Sequence, residues 1–281
     1  MIKTYCSLTK PGIIMGNVIT AIGGFFLASK GFSLASLIPT LIGLSLIIAS
    51  ACVCNNYMDR DIDKLMARTK NRALAQNTIP KRNALIFGIS LVLAGAVVLF
   101  LFTNSLTLWV ALAGFLLYVF LYSPLKYQST YGTLIGSIAG GAPPLVGYFG
   151  AGGHVDMGAI LISGSIILWQ MPHFYAIAIY RLNDYKAASI PVLPLVKGIY
   201  TTKVHMLIYT IAFLVTTLSL TFFGYTGYIF LSVMGILGIS WIWLCIKGFT
   251  SKNDAVWARK VFIFSLVIVT AICLLIILNS M

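Results

Sequence analysis

Asn55, Asp59 and Asp63 stand four residues apart in the run Asn55-Asn56-Tyr57-Met58-Asp59-Arg60-Asp61-Ile62-Asp63. The run follows a long apolar stretch and opens the most basic loop of the chain. Positions i, i+4 and i+8 of a helix share one face, with neighbours about 5–6 Å apart. Asp61 falls roughly opposite. The chain has six acidic residues, all Asp, and three of them fall within these five positions. Unperturbed aspartates are ionised at neutral pH, so an uncompensated cluster repels itself. A hard divalent cation removes the conflict, and Mg²⁺ typically combines one or two carboxylates with substrate phosphates. Asn55, Asp59 and Asp63 are therefore expected to hold Mg²⁺ against a diphosphate at the mouth of a transmembrane helix. The plainer alternative has Asp59, Asp61 and Asp63 neutralising Arg60, Lys64, Arg68, Lys70 and Arg72 on a solvated helix. The scarcity of acid elsewhere favours the site.

The frame for those carboxylates is a bundle of helices in lipid. The 281 residues are 59% hydrophobic and 9% charged, with a mean hydropathy of +0.97. A spanning helix needs about 20 mostly apolar residues, a length reached here repeatedly. Lipid offers backbone groups no partner, so the class is all-α and polytopic. Nine spans are expected, near 12–27, 37–57, 83–102, 106–122, 131–151, 158–180, 202–223, 227–247 and 261–278. Eighteen of the nineteen Lys and Arg residues then lie on alternate loops and at the N-terminus, with Lys30 alone opposite. The positive-inside rule puts the N-terminus in the cytoplasm and the C-terminus outside. The net charge of +13 is thereby mostly topological and argues against nucleic acid as a partner, although it also attracts anions. Cys52 and Cys54 point to different sides of a helix, so neither a metal pair nor a disulfide framework is expected. No cleavable signal or Arg-rich transit pattern precedes the first span, which favours a prokaryotic plasma (inner) membrane.

The sixth span carries Trp169-Gln170-Met171-Pro172-His173 and runs on to Tyr180-Arg181-Leu182-Asn183-Asp184-Tyr185. If the helix persists, His173, Tyr180 and Asp184 fall within about 40° of one stripe, with Arg181 close by. Ionisable residues inside a span usually face the bundle interior or a cavity. A satisfied interhelical hydrogen bond is the bland reading of His173. Pro191 and Pro194 end that helix in a stiff segment able to lie across a cavity mouth. Gly140-Gly141-Ala142-Pro143-Pro144 interrupts the fifth span, either for close packing or to make room for a bulky substrate. Lys126, at a third cytoplasmic mouth, is a phosphate ligand or only a topology marker. A long apolar tail among the spans and a diphosphate head at the rim suit this layout. The metal and basic side chains would stabilise the departing diphosphate, and aromatic faces a nearby carbocation.

Asn55-x-x-x-Asp59-x-x-x-Asp63 resembles the first Asp-rich motif of the UbiA-type intramembrane prenyltransferases. Several further segments resemble the heme-farnesylating branch of that family. They are Lys10-Pro11-Gly12-Ile13-Ile14, Arg68-Thr69-Lys70-Asn71-Arg72, Tyr131-Gly132-Thr133, Trp169-Gln170-Met171-Pro172-His173-Phe174 and Asp184-Tyr185 through Pro194. The resemblance implies one domain over 1–281, with nine helices around a central cavity and cytoplasmic cap loops. It implies transfer of farnesyl from farnesyl diphosphate to a vinyl group of heme B, with water added, giving heme O. Asn55, Asp59, Asp63 and Asp184 would be catalytic, with Mg²⁺ on the first three. Arg68, Lys70, Arg72, Lys126 and Arg181 would bind diphosphate, and His173, Tyr180 and Tyr185 the heme. Association with heme A synthase or terminal-oxidase assembly is also implied. Ala188 stands where the wider family has a second Asp, which leaves open whether that loop holds metal or acts through Arg181 and Lys186. A prenyltransferase for aromatic or quinone precursors is the runner-up. A cation transporter would place acids nearer the bilayer midplane, and a non-catalytic heme carrier needs no diphosphate stripe.

Overall fold

The computed structural model describes residues 2–29 and 33–280. Lys30, the one cation expected on the outer side, lies outside them. The chain is helical almost throughout. α1 (Ile2–Leu8) precedes α2 (Pro11–Ala28), α3 (Leu34–Asp63) and α4 (Lys81–Phe102). α5 (Ser105–Leu116) runs through a π-helical turn at Leu117–Tyr122 into α6 (Ser123–Leu125). The two short helices α7 (Gly132–Ala139) and α8 (Ala142–Gly150) lead to α9 (Met157–Tyr180), α10 (Leu182–Ala187) and α11 (Leu193–Val196). α12 (Gly198–Phe222), α13 (Tyr228–Ile246) and α14 (Asp254–Ser280) complete the chain.

Eight segments among the described residues are long and apolar enough to cross a membrane. They coincide with eight of the nine expected spans. The remaining one, at 131–151, falls on α7 and α8, which are separated at Gly140-Gly141 and each too short alone. Glycine's missing side chain and two successive prolines account for the break, since Pro143 and Pro144 donate no backbone hydrogen bond to the preceding turn.

The chain closes on itself. α3 packs along α4, α2 along α8, α9 between α12 and α14, and α14 returns to α2. The closest approach is between α2 and α8. A Cβ added at Gly147 would sit 1.8 Å from the Ala21 carbonyl oxygen, and one at Gly24 would sit 2.0 Å from that of Pro144. Without a hydrophobic drive between helices in lipid, such backbone proximity is what small residues contribute. The largest core cluster lies around α9, α12, α13 and α14 and includes Trp169, Phe213, Phe230 and Trp241. Lys203 on α12 ties α14 through Asp254 at 2.6 Å, with its ammonium over the Trp257 ring.

Gly147→Ala should therefore lower the thermal unfolding midpoint in detergent, at the 1–3 kcal/mol or so typical of overpacking. Gly12→Ala, which meets nothing within 4 Å, should leave it within about 0.5 kcal/mol of the parent.

Candidate active site

The helical face that carries Asn55, Asp59 and Asp63 turns inward, and all three side chains are buried. Asp61, on the opposite face, is exposed and pairs with its neighbours Arg60 and Lys64. Each inward side chain meets a cation from elsewhere in the chain. Lys10, at the start of α2, donates from Nζ to Asn55 Oδ1 at 2.6 Å. Lys126, just past α6, donates to both Asp59 oxygens at 2.7 and 2.6 Å, and the Tyr127 hydroxyl donates to Oδ1 of the same carboxylate. Arg72 donates from Nη1 to both Asp63 oxygens at 2.9 Å.

Local structure sets these positions. The π-helical turn at Leu117–Tyr122 is of the kind that often marks functional sites. It brings Tyr118 and Tyr122 to the cavity wall and lets Ser123, which donates to the Tyr118 carbonyl, accept from Asn55 Nδ2 at 3.3 Å. Asn56 donates to the Leu8 carbonyl at 2.8 Å and so anchors α1 beside α3. Thr69 donates to the Asp63 carbonyl at 3.0 Å, which folds the basic loop back over the helix end.

Behind this rim lies a cavity of about 530 Å³. Its mouth carries Lys10, Arg68, Arg72 and Lys126 against one lining carboxylate, Asp59. Burial is the main influence on the two lysines. It lowers Lys10 to about 8, with Arg72 pushing the same way and Asp59 partly opposing. Burial also lowers Lys126, against the pull of Asp59. Tyr127 is raised by burial and by the Asp59 charge, so it stays a protonated donor. Deeper in, Leu44, Ile47, Ala111 and Phe115 form an apolar wall. Gly136, Ala139, Gly140 and Pro143 from the broken segment of α7 and α8 line the cavity with small or compact side chains, and His173 and Phe174 of α9 line it too. Across the mouth, Met66, Ala188 and Ile190 pack with Tyr127, Tyr185 and Val192, joining the loop after α3 to the segment after α10.

Asn55, Asp59, Arg68, Arg72, Lys126, His173 and Tyr185 thus all line one cavity. Asp63 sits one turn beyond, bound to Arg72. Lys70, Tyr180, Arg181 and Asp184 are not among the lining residues. The expected continuous stripe from His173 to Asp184 does not form. α9 ends at Tyr180, Arg181 leaves helical geometry at φ −108° and ψ 23°, and α10 sets off anew. Tyr180 packs on Phe262 instead, with Arg181 over its ring. Lys10, Tyr127 and Gln170 also line the cavity and were not singled out from sequence as site residues. Lys10 and Gln170 do lie within the segments Lys10-Pro11-Gly12 and Trp169-Gln170-Met171-Pro172-His173 that carry the family resemblance, whereas nothing marked Tyr127.

Among the described residues no three His, Cys, Asp or Glu side chains converge as a ready metal cage. Mg²⁺ held mainly through phosphate oxygens needs only one or two carboxylates. Asp59 and Asn55 are the oxygen-bearing side chains that α3 brings to the cavity.

Known proteins resemble this chain over almost its whole length. The profile of the UbiA prenyltransferase family matches residues 17–267. A protoheme IX farnesyltransferase of Yersinia enterocolitica is 50% identical over 274 residues, covering 97% of this chain and 93% of its own length. One from Serratia proteamaculans is 49% identical over the same shares. Among solved structures, a digeranylgeranylglyceryl phosphate synthase superposes with a TM-score of 0.82 at 20% identity, over 99% of this chain and 98% of that one. A UbiA homolog from Archaeoglobus fulgidus bound to GPP and Mg²⁺ gives 0.68 at 17% identity, over 98% and 99%. At such identities the likeness is one of fold.

The pair of Asp63 and Arg72 makes an asymmetric prediction. Asp63 is 1% exposed while the Arg72 side chain is 30% exposed. Arg72→Ala strands a buried carboxylate and should cost about 1–3 kcal/mol in thermal or denaturant unfolding. Asp63→Ala leaves a guanidinium that water can reach and should cost less.

Proposed function

The chain belongs to the UbiA prenyltransferase family, and on that premise we propose that it is a Mg²⁺-dependent protoheme IX farnesyltransferase. The observation that carries the reading is the juxtaposition at one cavity mouth of Asn55 and Asp59 with Lys10, Arg68, Arg72 and Lys126, above an apolar chamber ending at His173. Its support from relatives is near full-length identity of 50% to enzymes of that name. The four cations suit the head of farnesyl diphosphate, and the apolar wall suits its tail. The metal, when bound, supplies Lewis-acid stabilisation of the departing diphosphate.

The residues of the chain do the rest. Lys126 lies within reach of both Asp59 and an anion at the mouth, so an arriving diphosphate draws it off the carboxylate and frees Oδ2, while Tyr127 still donates to Oδ1. Arg68, Arg72 and Lys10 take up charge as the carbon–oxygen bond of the donor breaks. Tyr118, Tyr122 and Phe115 present aromatic faces to the resulting allylic cation. The segment packed across the mouth, with Ile190, Pro191 and Val192, excludes water until the vinyl group of heme B attacks. The new carbon–carbon bond joins farnesyl to the outer vinyl carbon. Water then adds to the inner one and gives up a proton, and diphosphate leaves. Arg181, Lys70 and Asp184 are assigned to the rim of the same mouth, where the heme carboxylates also find basic partners.

The topology follows the same reading. α7 and α8 together make a broken ninth span within one domain, and the loops after α3 and α9 form a cap. The N-terminus is cytoplasmic and the C-terminus external, in the plasma membrane. A link to heme A synthase or to terminal-oxidase assembly belongs to this reading as the consumer of the product.

The test is purified protein in detergent with heme B, farnesyl diphosphate and Mg²⁺, read by mass spectrometry. A farnesylated, hydrated heme is expected. Prenylated 4-hydroxybenzoate in place of it would move the assignment to the aromatic acceptors. Asp59→Ala should reduce turnover at least about 100-fold, the scale at which losing transition-state charge stabilisation is felt. Near-normal turnover in that variant would sink the metal assignment.

A further inference from the structure

His173 makes a side-chain hydrogen bond through one ring nitrogen only. Its Nδ1 lies 2.7 Å from Ser265 Oγ on α14, and no hydrogen bond joins Nε2 to any described residue. Ser265 is fully buried, and its hydroxyl also lies 2.6 Å from the Phe262 carbonyl oxygen. These three groups have two contacts and admit one economical arrangement of protons. The carbonyl can only accept. A hydroxyl has one proton, and giving it to Phe262 leaves its lone pairs facing Nδ1. Nδ1 must then carry a hydrogen and donate it. The reverse assignment leaves a 2.6 Å oxygen–oxygen contact with no proton between. His173 is thereby the Nδ1–H tautomer, and the lone pair resides on Nε2.

The ring cannot easily turn away from this arrangement. Trp169 stacks on it at 4.7 Å and 27°, and Phe262 lies against it at 5.0 Å. The Trp169 indole is itself held by donation from Nε1 to the Ser265 main-chain carbonyl at 2.8 Å. One residue of α14 therefore holds two side chains of α9, one through its hydroxyl and one through its backbone. His173 lines the reaction cavity, so the unpartnered nitrogen belongs to the edge that Ser265 does not cover.

We infer that Ser265 is a positioning residue, locking His173 as the tautomer whose Nε2 ligates the iron of the bound heme substrate. A neutral imidazole nitrogen is the commonest protein ligand for metals, and the hydrogen bond made by its other nitrogen decides which atom is offered. Such supporting partners orient the ring and raise its basicity as a ligand. Iron ligation would anchor the porphyrin so that a vinyl group faces the farnesyl cation. The inference rests on the proposed function, in which heme B is the acceptor.

The test is a titration of detergent-purified protein with ferric heme, followed by absorption, alongside resonance Raman spectra of the ferrous complex. His173→Ala should abolish the imidazole-ligated absorption spectrum. Ser265→Ala should weaken heme binding about 10-fold or more, the lower end for losing such a partner, and shift the iron–imidazole stretch to lower frequency. Ser265→Thr, which keeps the hydroxyl, should restore both. A change of packing alone would not move the stretching frequency in this hydroxyl-dependent way. If His173→Ala changes the spectrum but Ser265→Ala does not alter affinity or stretch, the positioning role is wrong. If His173→Ala leaves the spectrum unchanged, iron ligation by His173 is wrong. Heme O formation by the parent protein, measured separately, shows whether the enzyme assignment stands regardless.

Discussion

The structure depends on keeping negative charge out of a low-dielectric interior unless something positive comes with it. Burying an unpaired carboxylate is among the costliest things a fold can do. Here Asp59 and Asp63 are both buried at the end of α3, and each is met by a cation brought from a different part of the chain. Arg72 returns from the loop after α3, and Lys126 arrives from the turn after α6. Lys10 treats the neighbouring amide the same way. The stripe therefore organises more than its own helix: it gathers the start of α2, the π-helical end of the fourth span and the basic loop around one point.

The same constraint makes the arrangement exchangeable. A cation paired with a buried carboxylate is also near any anion that enters the mouth, because the mouth holds four basic side chains and one lining carboxylate. Positive charge exceeds what the protein's own acids need. On the proposed reading an incoming diphosphate would share those cations, with a metal compensating the carboxylates in their place. Burial lowers Lys10 and Lys126, which means that both gain from an anionic partner as well as give to it. Fold stability and ligand affinity thus draw on one set of charges.

How much of this was visible beforehand follows from which interactions are local. The α3 stripe was legible because i, i+4 spacing is a property of one helix, and the spans were legible because lipid imposes length and apolarity on each segment separately. Lys10 could not be placed beside Asn55 from sequence, since forty-five positions separate them and only tertiary packing closes the distance. The break after Tyr180 was hidden for a related reason. Nothing in Tyr180-Arg181-Leu182 forbids a helix, yet the chain must turn there for Tyr185 and Ile190 to reach the cavity. His173 was visible as an ionisable residue within a span, but its partner on α14 was not. Asp63 was expected beside Asp59 on one face, and there each accepts from its own cation, Arg72 for the one and Lys126 for the other; neither partner was legible from spacing.

The broken pair α7–α8 shows why a short apolar run need not be an ordinary packing element. Gly147 and Gly24 sit at backbone contacts between α8 and α2, so part of this segment is indeed used for close packing. The other part is not. A Cβ at Gly140 would fall 2.1 Å from the Gln170 side-chain oxygen, and one at Gly136 would fall 2.9 Å from the Tyr122 ring. Both of those neighbours line the cavity. Larger residues at these two positions would clash with cavity-lining side chains, not merely separate helices. The small side chains therefore serve two ends in one segment: α8 draws its neighbour close, and α7 keeps the chamber wide. An uninterrupted helix of larger apolar residues would satisfy the membrane equally well but would put bulk against the Gln170 and Tyr122 side chains that line the chamber.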